Sequence, residues 1–330
     1  MHRFVANELI LDLTLKPQGP LLIKAGEQKG STDPSLPDMC FVRTLHRFGD
    51  AEPVPTVYLP GSSLKGPVRA YCERVGLTKQ VEAGGGQFSW RLACVSVSSK
   101  NEGDPEFPYC GKQFTDQGEG HDEGDARERY RGSCMTCQIF GNTALAAHIS
   151  IDDAYPTDPS AVVTDTRTGV AIDRVLGSVA VGPFDMEVVV DGAFQFSLRL
   201  WNFSWAHLGL LSLAIDAFNS EELLLGSGKS RGLGRVAVEI EHMKLRASPP
   251  LVDGQNCVGD ITVKKNGEHV YGAYLSEPLK NAGVESWVVG REHMTRAHLR
   301  WEISGDKELW DSLRSHAQQQ FQRVAGALGG

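Results

Sequence analysis

The chain has 330 residues, of which 41% are hydrophobic, so it is long and apolar enough to bury a substantial core. We expect a cytoplasmic protein, because the opening residues do not resemble a signal peptide and no apolar run approaches a membrane span. Seven cysteines in such a chain favour reduced thiols or metal ligands over disulfides. The formal net charge of −8 argues against broad, non-specific affinity for nucleic acid, although it leaves room for a local basic groove.

Most of the acidic excess is confined to one short segment. Residues 101–129 contain nine acidic and three basic residues, a net charge of −6, which leaves −2 of the total of −8 for the rest of the chain. The segment is also rich in glycine and nearly free of aliphatic residues, a composition typical of solvated insertions. We therefore predict an acidic, cysteine-containing insertion over residues 90–140.

The first part of the chain predicts a strand and then a helix. Leucines alternate with polar neighbours over residues 3–16, which predicts a half-buried strand. The sequence "VYLPGSSLKGPVRAYCERV" at residues 57–75 predicts a short strand, a Pro-Gly turn and a helix that Ser62 or Ser63 would cap.

The second part of the chain predicts hairpins, two helices and a further strand. Residues 162–184 are typical of a projecting hairpin, and residues 185–200 predict a strand pair around an Asp-Gly turn. Helical spacing of apolar residues over 205–226 is followed by strand-like alternation over 235–245, and an amphipathic helix is predicted over 306–328. This order predicts an α+β fold with a ferredoxin-like core and long insertions.

The sequence "GSGKSRGLGR" at residues 226–235 looks like a phosphate-binding loop but fails both nucleotide motifs. Leu223 occupies the position of the first P-loop glycine, and Arg231 occupies the third glycine position of the dinucleotide fingerprint. The loop also joins a predicted helix to a predicted strand, which reverses the order of a P-loop. We therefore predict that this loop does not bind a nucleotide.

The cysteines around the acidic insertion predict a metal site. Cys134 and Cys137 form a CxxC pair, whose spacing places two thiolates on one tetrahedral ion. Cys94 and Cys110 flank the insertion and are the natural completing ligands, with His121 as a competitor for one position. A closed site for Zn²⁺ would be structural, because it leaves no open position for catalysis and gives the insertion a reason to fold. A redox-active CxxC is the alternative, but the βαβ context of such motifs is missing.

Three segments together resemble a known family. They are "YLPGSSLKGPVRAY" at 58–71, "CMTCQIFG" at 134–141, and "WAHLGLLSLAIDAF…LLLGSGKSRGLGRVAV" at 205–238. In this order they resemble the RAMP superfamily, specifically the backbone subunit of type III CRISPR effector complexes, and the CxxC version is similar to the III-D branch. The resemblance implies a core over residues 1–245 and leaves residues 246–330 as a C-terminal extension ending in a helix.

The resemblance implies a set of RNA and protein partners. These are guide (CRISPR) RNA, complementary target RNA, other copies of the chain and other type III effector subunits. Residues 162–184 would form the thumb that the family pushes between guide and target. The implied RNA contacts are Ser62, Ser63, Lys65 and Arg69 at a helix N-terminus, Arg167 and Arg174 in the thumb, and Lys229, Arg231 and Arg235 in the glycine-rich loop. The alternatives are an ordinary capped helix, a solvated hairpin and a tight core loop with solvated basic residues.

The resemblance also implies a catalytic residue. Family members that cut RNA carry an aspartate in the loop before the PGSS helix, and "DMCFVRT" at residues 38–44 places it at Asp38, with Asp33 as the second candidate. A carboxylate there would hold Mg²⁺ or Mn²⁺, or orient the 2′-hydroxyl that attacks the adjacent phosphate. Two alternatives stay open: a structural RNA-binding subunit that does not cut, and a stand-alone endoribonuclease that processes guide precursors.

Overall fold

Strands and helices of the chain build a mixed α/β structure. A computed structural model describes residues 5–26, 37–82, 91–95, 109–111, 126–247, 257–258, 264–265, 268–269, 285–297 and 300–327. The strands are β1 (Asn7–Pro17), β2 (Arg43–His46), β3 (Val54–Val57), β4 (Ile149–Ile151), β5 (Tyr155–Pro156), β6 (Val163–Ile172), β7 (Val179–Asp191), β8 (Phe194–Trp201), β9 (Val236–Ala247), β10 (Cys257–Val258), β11 (Lys264–Lys265), β12 (Glu268–His269), β13 (Trp287–Val288), β14 (Met294–Ala297) and β15 (Arg300–Gly305). The helices are α1 (Gly61–Glu82), α2 (Ala126–Gly132), α3 (Met135–Phe140), α4 (Trp205–Asn219) and α5 (Lys307–Ala327).

The large sheet has seven strands, with β1 in its middle. The strand order is β14-β15-β9-β1-β8-β4, β5 also pairs with β8, and every pair in this sheet is antiparallel. The predicted first strand is confirmed, and its alternating leucines, Leu9, Leu11, Leu13 and Leu15, are all buried. Their burial anchors β1 in the core, as the alternation predicts, and the strand begins at Asn7 rather than at residue 3.

Helix α1 begins against the end of β4. Its first residue is Gly61, and Asp153 Oδ1 accepts a hydrogen bond from the Gly61 N–H at 2.7 Å. A Cβ at Gly61 would lie 2.1 Å from the carbonyl oxygen of Ile151, so only glycine fits at this position. The prediction that Ser62 or Ser63 caps the helix is wrong, because a carboxylate distant in sequence binds the first helical amide instead.

Strands β6 and β7 form a long hairpin outside the large sheet. Pairing begins with Val163 opposite Asp191, so the second strand continues past the predicted hairpin of residues 162–184. The predicted strand pair within residues 185–200 is wrong, because β7 pairs with β6 whereas β8 joins the large sheet. Gly192, with a φ of 137°, lies where the chain passes from one sheet to the other.

Helix α4 is confirmed, although it ends at Asn219, seven residues before the end of the predicted range of 205–226. Polar contacts fix its start within the core. Ser204 Oγ accepts a hydrogen bond from the His207 N–H at 3.3 Å, and His207 Nε2 lies 2.8 Å from Gln138 Oε1 of α3. Burial lowers the pKa of His207 to about 3, so its ring is neutral near neutral pH. Later in the helix, a Cβ at Gly209 would lie 2.2 Å from the carbonyl oxygen of Ala317, which shows how closely α4 and α5 approach.

The described part of the C-terminal region shares the core of the preceding chain. Strand β15 pairs with β9, β14 pairs with β15, and α5 packs on α4. Ile303, Leu313 and Phe321 are buried in the same cluster as the leucines of β1. The final amphipathic helix is therefore confirmed. No helix within the described ranges combines the length and apolar character that a membrane crossing requires.

Candidate nucleic-acid interface and metal centre

The glycine-rich loop connects α4 to β9, as the sequence predicts, and packs tightly on the segment after β1. A Cβ at Gly226 would lie 2.1 Å from the carbonyl oxygen of Leu22, and one at Gly234 would lie 2.1 Å from that of Leu225. Both glycines also have positive φ, 71° and 96° respectively. The glycines therefore allow close approach of backbone to backbone, which no other residue type permits here.

The three basic residues of this loop have different surroundings. Lys229 and Arg231 are exposed in a short 3₁₀ turn, and the Arg231 guanidinium lies over the Phe184 ring, 5.9 Å from its centroid. Partial burial lowers the pKa of Lys229. Arg235 lies 3.4 Å from Glu221 in an exposed ion pair. Arg231 thus links the loop to the base of the β6–β7 hairpin.

Asp38 also lies at the base of this hairpin. Its Oδ2 accepts a hydrogen bond from the Asp185 N–H of β7 at 2.9 Å, and Asp185 Oδ1 accepts one from Thr168 Oγ1 of β6 at 2.6 Å. The Met39 N–H donates to the Asp185 carbonyl at 3.0 Å, which holds the backbone after Asp38 beside β7. Asp38 is exposed, and the second candidate, Asp33, lies outside the described residues.

These contacts bring residues from four separate segments to one surface. The Phe184 ring lies against Gly169 across the hairpin, where a Cβ would lie 2.7 Å from Phe184 Cζ, and the ring also contacts Arg231. We call this region the hairpin-base surface. It comprises Asp38, Thr168, Phe184, Asp185 and Arg231.

Asp38 and Arg231 are predicted site residues, whereas Thr168, Phe184 and Asp185, their neighbours at the hairpin-base surface, were not predicted. Thr168 stands opposite Asp185, and Gly169 opposite Phe184, in the register of the hairpin. The register of a hairpin determines which residues stand opposite each other. A prediction of the full hairpin, with its second strand continued past residue 184, would therefore have placed Thr168 opposite Asp185. The sequence contained no local pattern that places Asp38 beside them.

An ion pair joins the segment after Asp38 to the same hairpin. Glu187 of β7 accepts hydrogen bonds from both terminal nitrogens of the Arg43 guanidinium, and from the Phe41 N–H at 3.0 Å. Hydrogen bonding from Arg43 holds the pKa of Glu187 below its ordinary value. The backbone that carries Asp38 is therefore fixed to β7 on both sides of Met39.

The exposed face of the hairpin mixes charge with apolar side chains. Arg167 of β6 stands opposite Met186 of β7, one pair farther from the tip than Thr168 and Asp185, whereas Arg174 lies near the tip; both arginines are exposed. The tip residues Val175 and Leu176 are 91% and 78% exposed. RNA contacts by the two arginines stay predictions, and the apolar tip is a feature that sequence analysis did not predict.

The basic residues of α1 point toward different partners. Ser62 is exposed, Ser63 is partly buried, and Lys65 Nζ donates to the Ile149 carbonyl at 3.3 Å. Burial, and then the neighbouring Arg69 charge, lower the pKa of Lys65. Arg69 donates to Glu73 at 2.8 Å and to the Gly141 carbonyl at 3.0 Å. Arg69 is therefore partly buried and bound to protein groups, and phosphate contacts by these four residues stay predictions.

The predicted metal ligands converge. The sulfur atoms of the four cysteines all lie within 4.8 Å of one another, and all four residues are buried. We call this set the cysteine cluster: Cys94, Cys110, Cys134 and Cys137. The competitor ligand, His121, lies outside the described residues.

The geometry of the cysteine cluster fits a tetrahedral ion. Cys94 Sγ and Cys137 Sγ are 3.6 Å apart. Zinc–sulfur bonds of about 2.3 Å place the sulfurs of a regular tetrahedron roughly 3.8 Å apart, so the observed separation suits such an ion. Hydrogen bonds from the neighbouring thiols of Cys134, Cys137 and Cys94 hold the pKa of Cys110 below its ordinary value, whereas burial raises the pKa of Cys134. Four thiolates at this spacing require a cation, and the cluster could therefore hold a metal such as zinc.

Short-range backbone contacts shape the CxxC pair. Cys134 is the N-cap residue of α3, and its sulfur accepts a hydrogen bond from the Cys137 N–H at 3.4 Å. The Cys134 N–H in turn donates to Cys110 Sγ at 3.2 Å. Gly141 ends the helix with a φ of 80°, and a Cβ there would lie 2.7 Å from the Ala147 nitrogen. The turn around the sulfurs is thus fixed by the chain itself.

Comparisons with known proteins bear on both regions. The family model of the RAMP superfamily matches residues 47–237, more than half of the chain. No curated protein matches the chain. The matched range contains α1, the cysteine cluster, the hairpin and the glycine-rich loop, whereas Asp38 precedes it.

Proposed function

The chain belongs to the RAMP superfamily, and from this premise we propose that it is a CRISPR-associated RNA-binding subunit. In the finer form of the proposal it is the backbone subunit of a type III, III-D-like effector complex. It binds guide RNA, assembles along it with further copies of itself and with other effector subunits, and cleaves complementary target RNA. One observation carries the RNA-binding proposal: the convergence of the loop, the hairpin and Asp38 on the hairpin-base surface.

The hairpin-base surface offers complementary chemistry for RNA. Arg231 is exposed at one end, where a guanidinium can donate two hydrogen bonds to a phosphate. The Arg231 guanidinium lies over the Phe184 ring, a contact that favours this position of the side chain. Lys229 and Ser230 continue the exposed surface. In this proposal phosphate contacts position the RNA backbone, and Arg167 and Arg174 extend the contact along the hairpin as the thumb.

The core is proposed to be ferredoxin-like. Support comes from the order strand, helix, strand, strand, helix, strand in β1, α1, β4, β8, α4 and β9, and from the sheet order β9-β1-β8-β4. The hairpin and the cysteine-containing segment are then insertions between these six elements. Residues 1–245 form the core in this proposal, and residues 246–330 are an extension that widens the sheet.

The cysteine cluster is proposed to bind a structural Zn²⁺. All four ligands come from the protein and are buried, so the site leaves no open position for a substrate. The four cysteines are spread over residues 94–137, so the cluster joins parts of the proposed insertion that are distant in sequence. The ion would therefore hold together a segment that has few apolar side chains of its own.

Cleavage is proposed to depend on Asp38. The target 2′-hydroxyl attacks the adjacent phosphorus, a 2′,3′-cyclic phosphate forms, and the bond to the 5′ oxygen of the next nucleotide breaks. Asp38 accepts the proton of the attacking hydroxyl, and the departing oxygen takes a proton from water to give a 5′-hydroxyl. A bound Mg²⁺ or Mn²⁺ would supply charge stabilisation at the phosphate. The Asp185 N–H fixes one oxygen of Asp38, which orients the carboxylate.

A non-catalytic RNA-binding subunit is the second candidate. The observation that favours it is the same hydrogen bond, because a carboxylate that accepts from the hairpin backbone also ties the segment of residues 38–41 to β7. Such a role needs the acceptor oxygen but not the negative charge. The two functions can therefore be separated by a substitution that retains one and removes the other.

The experiment compares Asp38→Asn with Asp38→Ala in the complex reconstituted with guide RNA and partner subunits. Asn retains an acceptor for the Asp185 N–H and removes the charge, whereas Ala removes both. With labelled complementary RNA and Mg²⁺, we expect regularly spaced cuts from the wild type, at least about 100-fold slower cutting by both variants, and unchanged target binding. Asp165→Asn, an exposed substitution on the same hairpin, serves as the control.

Two outcomes would contradict the cleavage proposal. Binding of target RNA without cuts by any protein would identify a structural subunit. If Asp38→Asn cut at the wild-type rate, the Asp38 carboxylate would take no part in cleavage. Asp33 or another subunit would then be the candidate for the catalytic group. Loss of guide-RNA binding by the wild type would contradict the RNA-binding proposal itself.

A further inference from the structure

Two arginine side chains approach the cysteine cluster from different segments. Arg69 of α1 directs Nη2 toward Cys137 Sγ at 3.8 Å. Arg91, which precedes the first cysteine of the cluster, directs Nη2 toward Cys110 Sγ at 3.9 Å. The two arginines therefore contact different sulfurs. Arg69 belongs to the core helix, and Arg91 belongs to the segment that carries Cys94.

The orientation of Arg69 is fixed by two further contacts. Glu73, one helical turn later, accepts from its Nε at 2.8 Å, and the carbonyl of Gly141 accepts from its Nη1 at 3.0 Å. The Arg69 side chain is only 24% exposed. With these two donors engaged, Nη2 faces the sulfur of Cys137. Because Glu73 offsets the charge of Arg69, the effect on the sulfur comes from the directed N–H rather than from a net positive charge.

A buried tetrathiolate centre has a physical need for such donors. Four thiolates around a divalent cation carry a net charge of about −2, and a buried negative charge is costly unless hydrogen bonds compensate it. Groups that hydrogen-bond to metal ligands orient them, tune their electron density and strengthen metal retention. The region around Cys137 and Cys110 offers these donors at two of the four sulfurs.

We propose that Arg69 and Arg91 are positioning residues of the metal centre, which donate N–H groups to the sulfurs of Cys137 and Cys110 and thereby slow release of the ion. The inference rests on the proposed zinc site and extends it to residues that are not ligands. It also assigns Arg69 a role other than a phosphate contact. Through Arg69, the centre is attached directly to α1, which carries Ser62, Ser63 and Lys65.

The test measures zinc release from the purified full-length chain to a chromogenic chelator. Arg69→Met and Arg91→Met keep much of the side-chain length but remove the N–H donors. Arg69→Lys retains one donor nitrogen. Arg74→Met is the matched control on the same helix, since Arg74 contacts Tyr71 and the Glu222 carbonyl and not the cysteines. We expect release about 10–100-fold faster for either Met variant, an intermediate rate for Arg69→Lys, and less than about a twofold change for the control.

A second readout separates donation to sulfur from general loosening of the fold. In the Co²⁺-substituted chain, the sulfur-to-metal charge-transfer band should shift in Arg69→Met and Arg91→Met but not in Arg74→Met, because N–H donation lowers the electron density of a thiolate. Where Arg69→Met does not fold, Arg91→Met and Arg69→Lys supply both measurements.

Three results would overturn the inference. Unchanged zinc release and an unchanged band in both Met variants would show that the arginines do not act on the centre. Arg69 would be a phosphate contact instead if Arg69→Met released zinc normally but reduced, by about one, the slope of log K for RNA binding against log salt concentration. Wild-type chain without bound zinc would refute the metal site and this inference together, while RNA binding by the same preparation would leave the proposed RNA function standing.

Discussion

The cysteine cluster and the hairpin-base surface are constructed in opposite ways. In the cluster all four ligand residues are buried, and their sulfurs lie within 4.8 Å of one another. At the hairpin-base surface Asp38 and Arg231 are exposed, and each is held by a contact to the hairpin. Burial with a complete ligand set suits a structural centre, whereas exposed groups on a well-anchored backbone suit contact with a large polar partner such as RNA.

The two regions should therefore be sensitive to different substitutions. The cluster depends on its own side chains, so replacing one ligand should affect the whole centre. The hairpin-base surface depends on the backbone beneath it, especially on the glycine-rich loop that packs against Leu22. Damage to that support should alter the surface although none of its exposed residues is changed.

Replacing a cysteine ligand should have the largest effect on stability. We expect Cys137→Ser to lose bound zinc and to lower the free energy of unfolding by on the order of 5 kcal/mol, because the folded state binds the ion and the unfolded chain does not. Zinc content by atomic absorption, and thermal unfolding with and without chelator, measure the two effects. The variant should no longer respond to chelator.

Cys40→Ser is the control for this experiment. Cys40 lies outside the cluster, and its thiol donates to the Pro37 carbonyl at 3.2 Å, a bond that a serine hydroxyl can also make. It should retain both zinc and stability. Equal stability of Cys137→Ser and wild type, with chelator inactive on both, would show that the thiols form no metal centre.

Substitution in the glycine-rich loop should have the next largest effect. We expect Gly226→Ala to lower the free energy of unfolding by about 3 kcal/mol, because its φ is 71° and the new Cβ would lie 2.1 Å from the Leu22 carbonyl oxygen. Guide-RNA binding should weaken as well, since the turn that carries Lys229 and Arg231 would move. Urea unfolding and RNA titration measure these changes.

Gly232→Ala separates backbone strain from steric overlap. Gly232 has a similar φ of 81°, but a Cβ there would meet nothing within 4 Å. Only the left-handed strain remains, so we expect a loss of about 1 kcal/mol. If the two alanine variants were equally stable, close packing of the loop on Leu22 would not be what its glycines provide.

The sequence predicted the cysteine cluster more completely than the hairpin-base surface for a physical reason. A CxxC turn is a local pattern with a direct geometric consequence, and the two completing cysteines flank the same insertion. The contact between Asp38 and Asp185 spans 147 positions and depends on how the hairpin leaves the sheet. Periodicity predicts strands and helices but carries no information on such long-range contacts.

The same limit explains the errors at α1 and β7. A serine after Pro-Gly is a reasonable N-cap by composition, yet Asp153, from the segment between β4 and β5, binds the first helical amide. The Asp-Gly pair at residues 191–192 is a reasonable hairpin turn, yet β7 pairs with β6 and not with β8. In both cases a tertiary contact overrode a local preference, whereas the leucines of β1 and the stripe of α4 followed their periodicity because they face the core.

The ion pair of Glu187 with Arg43, beneath the hairpin-base surface, should make the smallest contribution to stability among these features. We expect Glu187→Gln to lower the free energy of unfolding near neutral pH by about 1 kcal/mol, a value reduced for partial exposure of the pair. Because hydrogen bonding from Arg43 lowers the pKa of Glu187 in the folded state, its contribution is present above the ordinary pKa of 4.5 and is lost as the pH falls through the folded value. The difference between wild type and variant should therefore shrink toward zero on acidification.

Urea unfolding at a series of pH values, from neutral to acidic, measures this difference. Glu239→Gln is the control, since its partner Lys16 lies on the exposed side of the sheet and the pair should contribute little at any pH. A gap between wild type and Glu187→Gln that stays constant across the series would mean that the carboxylate charge contributes nothing. The segment that carries Asp38 would then be held to β7 by the backbone hydrogen bonds of Met39 and by the bond from the Asp185 N–H to Asp38, and the charge of Glu187 would not contribute to the shape of the hairpin-base surface.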